Sequence, residues 1–426
     1  MSVIHRHRVS PWTAIPMDEA YSIIEEETDA LDSEKTPVWR VKIGDVLAED
    51  VNSAYNVPEV RTSIKDGYAV LASDSPGKRK VIGFSTAGSP CNSTLNPGEC
   101  VRVSTGAFVP DSATAVVMVE LTKLLEHDGS EELVIEVNGT AKDGQDIRLP
   151  GSDTSKGELL LEKGSTIRSA ELGILLASGL QLVNVCKKPK VAVMSTGNEV
   201  CEAIRPRLPI GHIRDTNRPQ LLALCEQSGA DVIDMGIVED DEESLVQAIS
   251  TALSISSVLI SSGGVSMGEK DLLKSVLSEK FGFKIHFGRV FMKPGLPTTF
   301  ATGEFLGQKK LVFALPGNPA SSWVCAQLFA VPSIRKLRGE HRIWHTRMSA
   351  KLSDTVKLDS RPEFRRGFIE RKEGEILPIV TTTGNQISSR LVSLRGAQLL
   401  LELPGKSEMS EIPAGSIVQA LVIDRL

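Results

Sequence analysis

Three short stretches carry residue types that could receive a phosphate. The first, Ser261-Ser262-Gly263-Gly264-Val265-Ser266-Met267-Gly268-Glu269-Lys270-Asp271, links the apolar run Val258-Leu259-Ile260 to Leu272, Leu273, Val276 and Leu277 at helical spacing. A glycine-rich turn between strand and helix lets backbone approach a ligand and presents unpaired N–H groups at the positive end of the helix dipole. Such a junction attracts anions. Two glycines also simply make a tight turn, and the spacing fits neither common nucleotide fingerprint. Ser195-Thr196-Gly197-Asn198-Glu199 and Pro316-Gly317-Asn318-Pro319 each follow an apolar run in the same way. Three acids accompany the loops: Glu199, Asp240 and Asp271. Carboxylates beside a phosphate cradle repel the substrate unless a cation lies between, and magnesium suits one or two carboxylates plus phosphate oxygens. Each acid alone equally suits a helix N-terminus; together, at three strand ends, they favour the metal reading. Lys293, in Lys293-Pro294-Gly295-Leu296-Pro297, could neutralise an oxyanion. Arg361, Arg365, Arg366, Arg390 and Arg395 beside Ser388, Ser389 and Ser393 suit a tetrahedral oxyanion or an ordinary charged surface.

To bring such loops together, the chain must place strand ends side by side. From Lys190 onward, short apolar runs alternate with helical patterns, which predicts a three-layer α/β domain with a mostly parallel sheet. Ligands in such sheets sit outside the carboxyl ends of the strands, so the loops are expected on one rim. Asn217 is the expected N-cap of a helix with Pro219 in its first turn. Upstream, residues 17–30 read as a helix with a solvated Glu25-Glu26-Glu27 face. Residues 56–139 carry short β-type runs that suggest an inserted β domain, and residues 169–178 read as a buried helix stopped by Gly179. Residues 336–426 return to β and predict a small barrel or sandwich. His212 and His286 read as structural.

Composition narrows the function class. Apolar residues make up 41% and charged residues 24%, and the net charge is −6, so nothing points to nucleic acid or an acidic membrane. The six cysteines form no C-x-x-C pair, as expected of reduced thiols in a cytosolic protein. No signal peptide and no membrane-spanning segment are expected.

Lys65-Asp66-Gly67-Tyr68-Ala69, Ser104-Thr105-Gly106, Gly144-Gln145-Asp146-Ile147-Arg148, Ser195-Thr196-Gly197-Asn198-Glu199, Ser262-Gly263-Gly264-Val265-Ser266, Gly268-Glu269-Lys270-Asp271, Lys293-Pro294-Gly295 and Leu315-Pro316-Gly317-Asn318-Pro319 follow one another along the chain. In that order they resemble the MoeA / gephyrin E-domain family of molybdenum insertases, over nearly the whole length. The resemblance implies transfer of molybdate into adenylylated molybdopterin with release of AMP, with magnesium present. It implies an elongated N-terminal dimerisation domain (1–55 and 140–181), an inserted β domain (56–139), a MogA-like α/β domain (182–335) and a C-terminal β-barrel domain (336–426). It further implies a cytoplasmic homodimer with each cleft shared between subunits. By motif, Asp66 and Asp153 would face the cleft from the N-terminal half, and Glu199, Asp240 and Asp271 would be the catalytic and metal-holding acids. Ser195, Thr196, Gly197, Asn198, Ser262, Gly263, Gly264, Val265, Ser266, Gly268, Lys270, Pro316, Gly317, Asn318 and Pro319 would line the substrate, and Lys293, Arg361 and Ser388 would contact molybdate. Leu296 stands where some members have a second lysine. The chain length leads to the expectation that a separate MogA-like adenylyltransferase supplies the substrate. Two other readings accompany this one. The chain could be a scaffold that binds receptor-loop peptides, with Asp18, Tyr21, Phe364 and Pro404 lining a groove, or it could itself be the adenylyltransferase.

Overall fold

The most apolar runs of the chain become the inner strands of one six-stranded sheet in this computed structural model, which describes residues 12–264, 272–370, 373–407 and 409–424. The strands are β1 (Lys190–Thr196), β2 (Asp231–Val238), β3 (Val258–Ser262), β4 (Lys284–Phe287), β5 (Thr299–Phe305) and β6 (Gln308–Leu315). Their order is β2-β1-β3-β6-β5-β4. β2, β1, β3 and β6 are parallel, while β5 and β4 close one edge antiparallel. Every residue of β3 is buried, as expected for a strand with helices on both faces.

Two apolar clusters make the outer layers. Leu221 and Leu224 of helix Asn217–Gln227 join Val324, Leu328 and Ile334 on one face. Leu245, Ile249 and Leu253 of helix Glu242–Ile255 join Leu273 and Val276 on the other. The register levels the carboxyl ends: Ser195 lies opposite Ser262, Ser262 opposite Leu315, and Thr196 opposite Val238. The loops that follow therefore emerge on one rim.

Three details differ from the sequence reading. Helix Met17–Glu27 buries Ala20 and Ile24 in the α/β core, so it packs there and not with the remainder of 1–55. Leu182–Cys186 pairs antiparallel with Ser33–Pro37, so residues 182–186 go by pairing with the N-terminal body and the parallel sheet starts at Lys190. Helix Ser169–Ala177, expected to be buried, buries only Leu175 and leaves Ile174 and Leu176 exposed. The cause is a thin N-terminal body: its core (Val38, Leu47, Leu161, Ile167, Leu175, Val183) reaches one side of that helix only.

The inserted region forms a six-stranded sheet spanning Gly67–Val70 to Glu132–Val137. The C-terminal region closes a five-stranded barrel from Thr346–Leu352, Glu363–Glu370, Ile379–Thr382, Leu399–Leu403 and Ile417–Val422. Among the described residues no helix is long and apolar enough to cross a membrane.

Candidate active site

The rim is built largely from backbone. Gly263 and Gly264, after β3, have φ of +93° and +69°. A Cβ on Gly263 would sit 2.4 Å from the Thr196 carbonyl oxygen, and one on Gly264 would sit 2.8 Å from Thr196 Oγ1. Glycine is therefore required twice, for conformation and for closeness to the end of β1. The Gly263 N–H donates to the Leu315 carbonyl at 3.1 Å, which ties the turn to β6. Among the described residues Thr196 Oγ1 is buried without a hydrogen-bond partner, close against the two glycines. An orphaned hydroxyl there is free to donate to an oxygen of a bound ligand.

The expected acids divide. Glu199 is exposed and folds back over Gly197, where an added Cβ would lie 2.8 Å from Oε2. The Asp240 N–H donates to Asn198 Oδ1 at 3.1 Å, so the loops after β1 and β2 touch. Val265, Ser266, Gly268, Lys270 and Asp271 lie outside the described residues. Among the described residues no group of three or more His, Cys, Asp or Glu side chains could hold a metal ion.

A segment the sequence reading underrated ties these loops together. Helix Asn217–Gln227 begins at Asn217 with Thr216 ahead of it, so Asn217 is not the N-cap. Its Nδ2 donates instead to Ser262 Oγ and to the Gly317 carbonyl, each at 2.7 Å, joining the β3 turn to the 316–319 loop. Two residues earlier, buried Asp215 accepts from Ser195 Oγ at 2.8 Å and from Arg218 Nε at 2.7 Å. The Arg218 guanidinium also holds Asp234 and Glu202. Burial would lower the Arg218 pKa, but the hydrogen bonds to Asp215 and Asp234 outweigh it and raise it. In return the Asp234 carboxyl, which burial would raise, is held below its ordinary value. The sequence signal was an acid and an amide two residues apart between a strand run and a helix.

The 316–319 loop leads from the rim to a second site. A cleft of about 670 Å³ is lined by Lys293, Pro316, Asn318, Arg361, Arg365 and Ser388, among others. It lies between the α/β domain and the barrel. Asn318 Nδ2 donates to Ser388 Oγ at 3.0 Å, and the Ala320 N–H to the Ser388 carbonyl at 3.1 Å. Residues 292–295 are stitched to the barrel by Lys293 N–H to Pro362 O (2.8 Å) and Phe364 N–H to Lys293 O (2.7 Å). Lys293, Arg361 and Ser388, named from separate motifs, thus face one space. Two carboxylates missed in the sequence accompany the cations. Asp359 lies 3.1 Å from Lys293 Nζ and 3.3 Å from Arg361 Nε; buried Glu363 lies 3.4 Å from Lys293 Nζ and 3.0 Å from Arg365 Nε.

The N-terminal acids stand apart from this rim. Asp66 accepts from the Thr105 N–H at 2.8 Å, and Asp153 pairs with Arg148 at 3.2 Å, both within the N-terminal half. On another face, a groove runs between helix Met17–Glu27 and the barrel, lined by Asp18, Phe291, Phe364, Leu403 and Pro404. Tyr21 turns into the adjoining pocket, where its ring lies 4.7 Å from that of Trp344.

Three known families match successive parts of the chain: residues 15–179 match the MoeA N-terminal region (domain I and II), 192–336 a probable molybdopterin binding domain, and 349–423 the MoeA C-terminal region (domain IV). A molybdopterin molybdenumtransferase of a Nostoc strain is 33% identical over 92% of this chain and 91% of its own length. Gephyrin of Dictyostelium discoideum is 38% identical over 98% of this chain; the chain spans 63% of that relative's length. The crystal structure of a molybdopterin biosynthesis MoeA protein from Pyrococcus superposes with a TM-score of 0.81 at 29% identity, covering 97% of this chain and 100% of the other.

Proposed function

We propose a molybdenum insertase, on the premise that this chain belongs to the MoeA family of molybdopterin molybdenumtransferases. Its substrates are adenylylated molybdopterin and molybdate; its products are the molybdenum cofactor, AMP and water. One observation carries the reading: the glycine cradle at the sheet rim and the cation-lined cleft are neighbours that share the 316–319 loop. In this reading the rim receives the pterin pyrophosphate. Gly263 and Gly264 let backbone come close, and the Thr196 hydroxyl donates to a phosphate oxygen. The cleft receives molybdate, with Lys293 and Arg361 opposing its charge and Ser388 donating to an oxygen. Holding both substrates at one loop turns attack across the phosphoanhydride into a reaction between neighbours.

The oxygen-only donor pair of Glu199 and Asp240 suits a hard divalent cation, and magnesium bound there would screen the carboxylates from the pyrophosphate. Asp271 is the third acid we assign to this cluster. We further propose a homodimer in which Asp66 and Asp153 of one subunit approach the other's cleft; the exposed Ile174, Leu176 and Trp39 of the N-terminal half support such a contact. All six cysteines are free, which fits a reducing cytosol.

The deciding assay mixes the purified chain with adenylylated molybdopterin, magnesium and molybdate and follows AMP. Release that depends on molybdate, and that Asp240→Asn or Asp271→Asn removes, is the expected result. Absence of molybdate-dependent release from the folded dimer would overturn the reading. The groove beneath helix Met17–Glu27 favours a second role, docking of an extended receptor-loop peptide against Phe364 and Pro404. A peptide titration that Phe364→Ala weakens would support that role, and one that it leaves unchanged would exclude it.

A further inference from the structure

The cations of the oxyanion cleft are already spoken for. Asp359, on the loop before Arg361, does not line the cleft, yet its carboxylate takes up two of the groups that do. Oδ2 lies 3.1 Å from Lys293 Nζ. Oδ1 accepts from Arg361 Nε at 3.3 Å, from the Arg361 N–H at 3.2 Å and from Ser360 Oγ at 3.3 Å. The backbone of Asp359 is itself fixed, because its carbonyl accepts from the Lys406 N–H at 2.6 Å. Glu363 plays a different part. It is 1% exposed, paired with Arg365 and Lys293, and forms a fixed part of the site. Asp359 is partly exposed and holds its partners from the side.

Resting on the assignment of this cleft to molybdate, we infer that Asp359 is a specificity-determining residue: an internal anion that an incoming oxyanion must outcompete for Lys293 and Arg361. A tethered carboxylate is present at high effective concentration, so a free monoanion that replaces it exchanges one negative charge for another and loses the advantage of the tether. A dianion brings a second charge to the same two cations and gains. The carboxylate therefore rejects chloride and nitrate while admitting a divalent tetrahedral oxyanion. The selectivity arises from a group that need not touch the ligand, an instance of specificity by opposition.

The test measures molybdate binding to the dimer by calorimetry, with chloride as competitor, for the wild type, Asp359→Asn and Arg361→Ala. Asp359→Asn keeps the size of the side chain and removes its charge, so it should bind molybdate roughly two- to fivefold more tightly, the range of a partly exposed ion pair. Its binding should also become sensitive to chloride at concentrations that leave the wild type unaffected. Unchanged or weaker molybdate binding by a folded Asp359→Asn protein, with Arg361→Ala still weakening binding, would overturn the competitor and keep the cleft assignment. Binding that Arg361→Ala does not disturb, or no binding by any of the three proteins, would overturn both. Thermal melting of each variant separates loss of fold from loss of binding.

Discussion

In the proposed function the sheet rim and the barrel cleft each receive an anion, and they are built from different materials. At the rim the contacts are backbone: positive-φ glycines lie against the Thr196 carbonyl, and the side chains nearby are mostly committed to one another, as Ser195 to Asp215 and Ser262 to Asn217. Sheet register sets the geometry, and an extra carbon has nowhere to go. In the cleft the contacts are long side chains from segments around 293, 361 and 388, balanced by Asp359 and Glu363. A backbone site is fixed in shape and fails abruptly, whereas a side-chain site can be graded by adding or removing charge. Rim substitutions should thus damage stability and turnover together, and cleft substitutions should mostly change apparent affinity for the oxyanion.

The largest effect is expected at Gly263. Gly263→Ala combines a left-handed backbone with a Cβ 2.4 Å from a carbonyl oxygen. It should cost about 2–3 kcal/mol in urea denaturation and lower AMP release by roughly a hundredfold or more. Gly317→Ala is the contrast, because its Cβ would meet only an ordinary 3.7 Å contact and should be tolerated. Equal behaviour of the two would break the distinction drawn for the rim. Next in size, Arg361→Ala should raise the molybdate KM roughly tenfold to fiftyfold while shifting the melting point little, since the side chain is partly exposed and its loss removes charge more than packing. A fall in kcat at unchanged KM would mean that the guanidinium acts in the transition state instead.

The rim was far more legible in the sequence than the cleft, for a physical reason. A glycine pair between an apolar strand and a helix advertises a backbone site locally, and strand alternation is enough to put Ser195, Ser262 and Pro316 on one edge. No local pattern joins Lys293, Arg361 and Ser388. They are brought together by docking of the barrel on the α/β domain, and only resemblance to a family named them as a set. The same limit hid Asp359 and Glu363, whose importance lies in partners far along the chain or in another motif. Asn217 was misread because its residue type suits an N-cap, and tertiary hydrogen bonds to Ser262 and Gly317 overrode that local preference. The helix 169–178 was expected to be buried because its composition is apolar, but the body beneath it is too thin to cover both sides.

A smaller effect should follow from the cross-link between the two sites. Asn217→Asp replaces the donor facing the Gly317 carbonyl with a carboxylate, leaving that acceptor without its partner at a cost of about 1–3 kcal/mol. The 316–319 loop then loosens from β3, so kcat should fall roughly fivefold to tenfold with a smaller change in either KM. An equal loss in Asn217→Ala and Asn217→Asp would attribute the effect to the missing donor, while a loss confined to stability would sever Asn217 from the chemistry.

The smallest effect is a matter of pH, and it separates the charge of the cleft from the stability of the fold. Burial, aided by Arg335, pushes the His345 imidazole down from 6.5 to about 4, and its Nε2 lies 2.9 Å from the Gln327 carbonyl. A depressed folded value means the unfolded chain takes up the proton first. The stability it contributes is present above about pH 6.5 and is lost as pH falls toward 4, with a ceiling of about 3 kcal/mol. Partial burial would raise the Asp359 carboxyl, but Lys293 and the Arg361 N–H hold it at about 2 instead. Its contribution is present above the usual carboxylate range and is lost only as pH falls through about 2. Between pH 7 and 5 the protein should therefore lose stability, and His345→Gln should flatten that slope. Over the same interval Asp359 remains ionised, so it should contribute less than about a twofold change to molybdate affinity. A steep tightening of binding on acidification, present in the wild type and absent in Asp359→Asn, would show that the cleft charge is not fixed and would remove this contrast between the two sites.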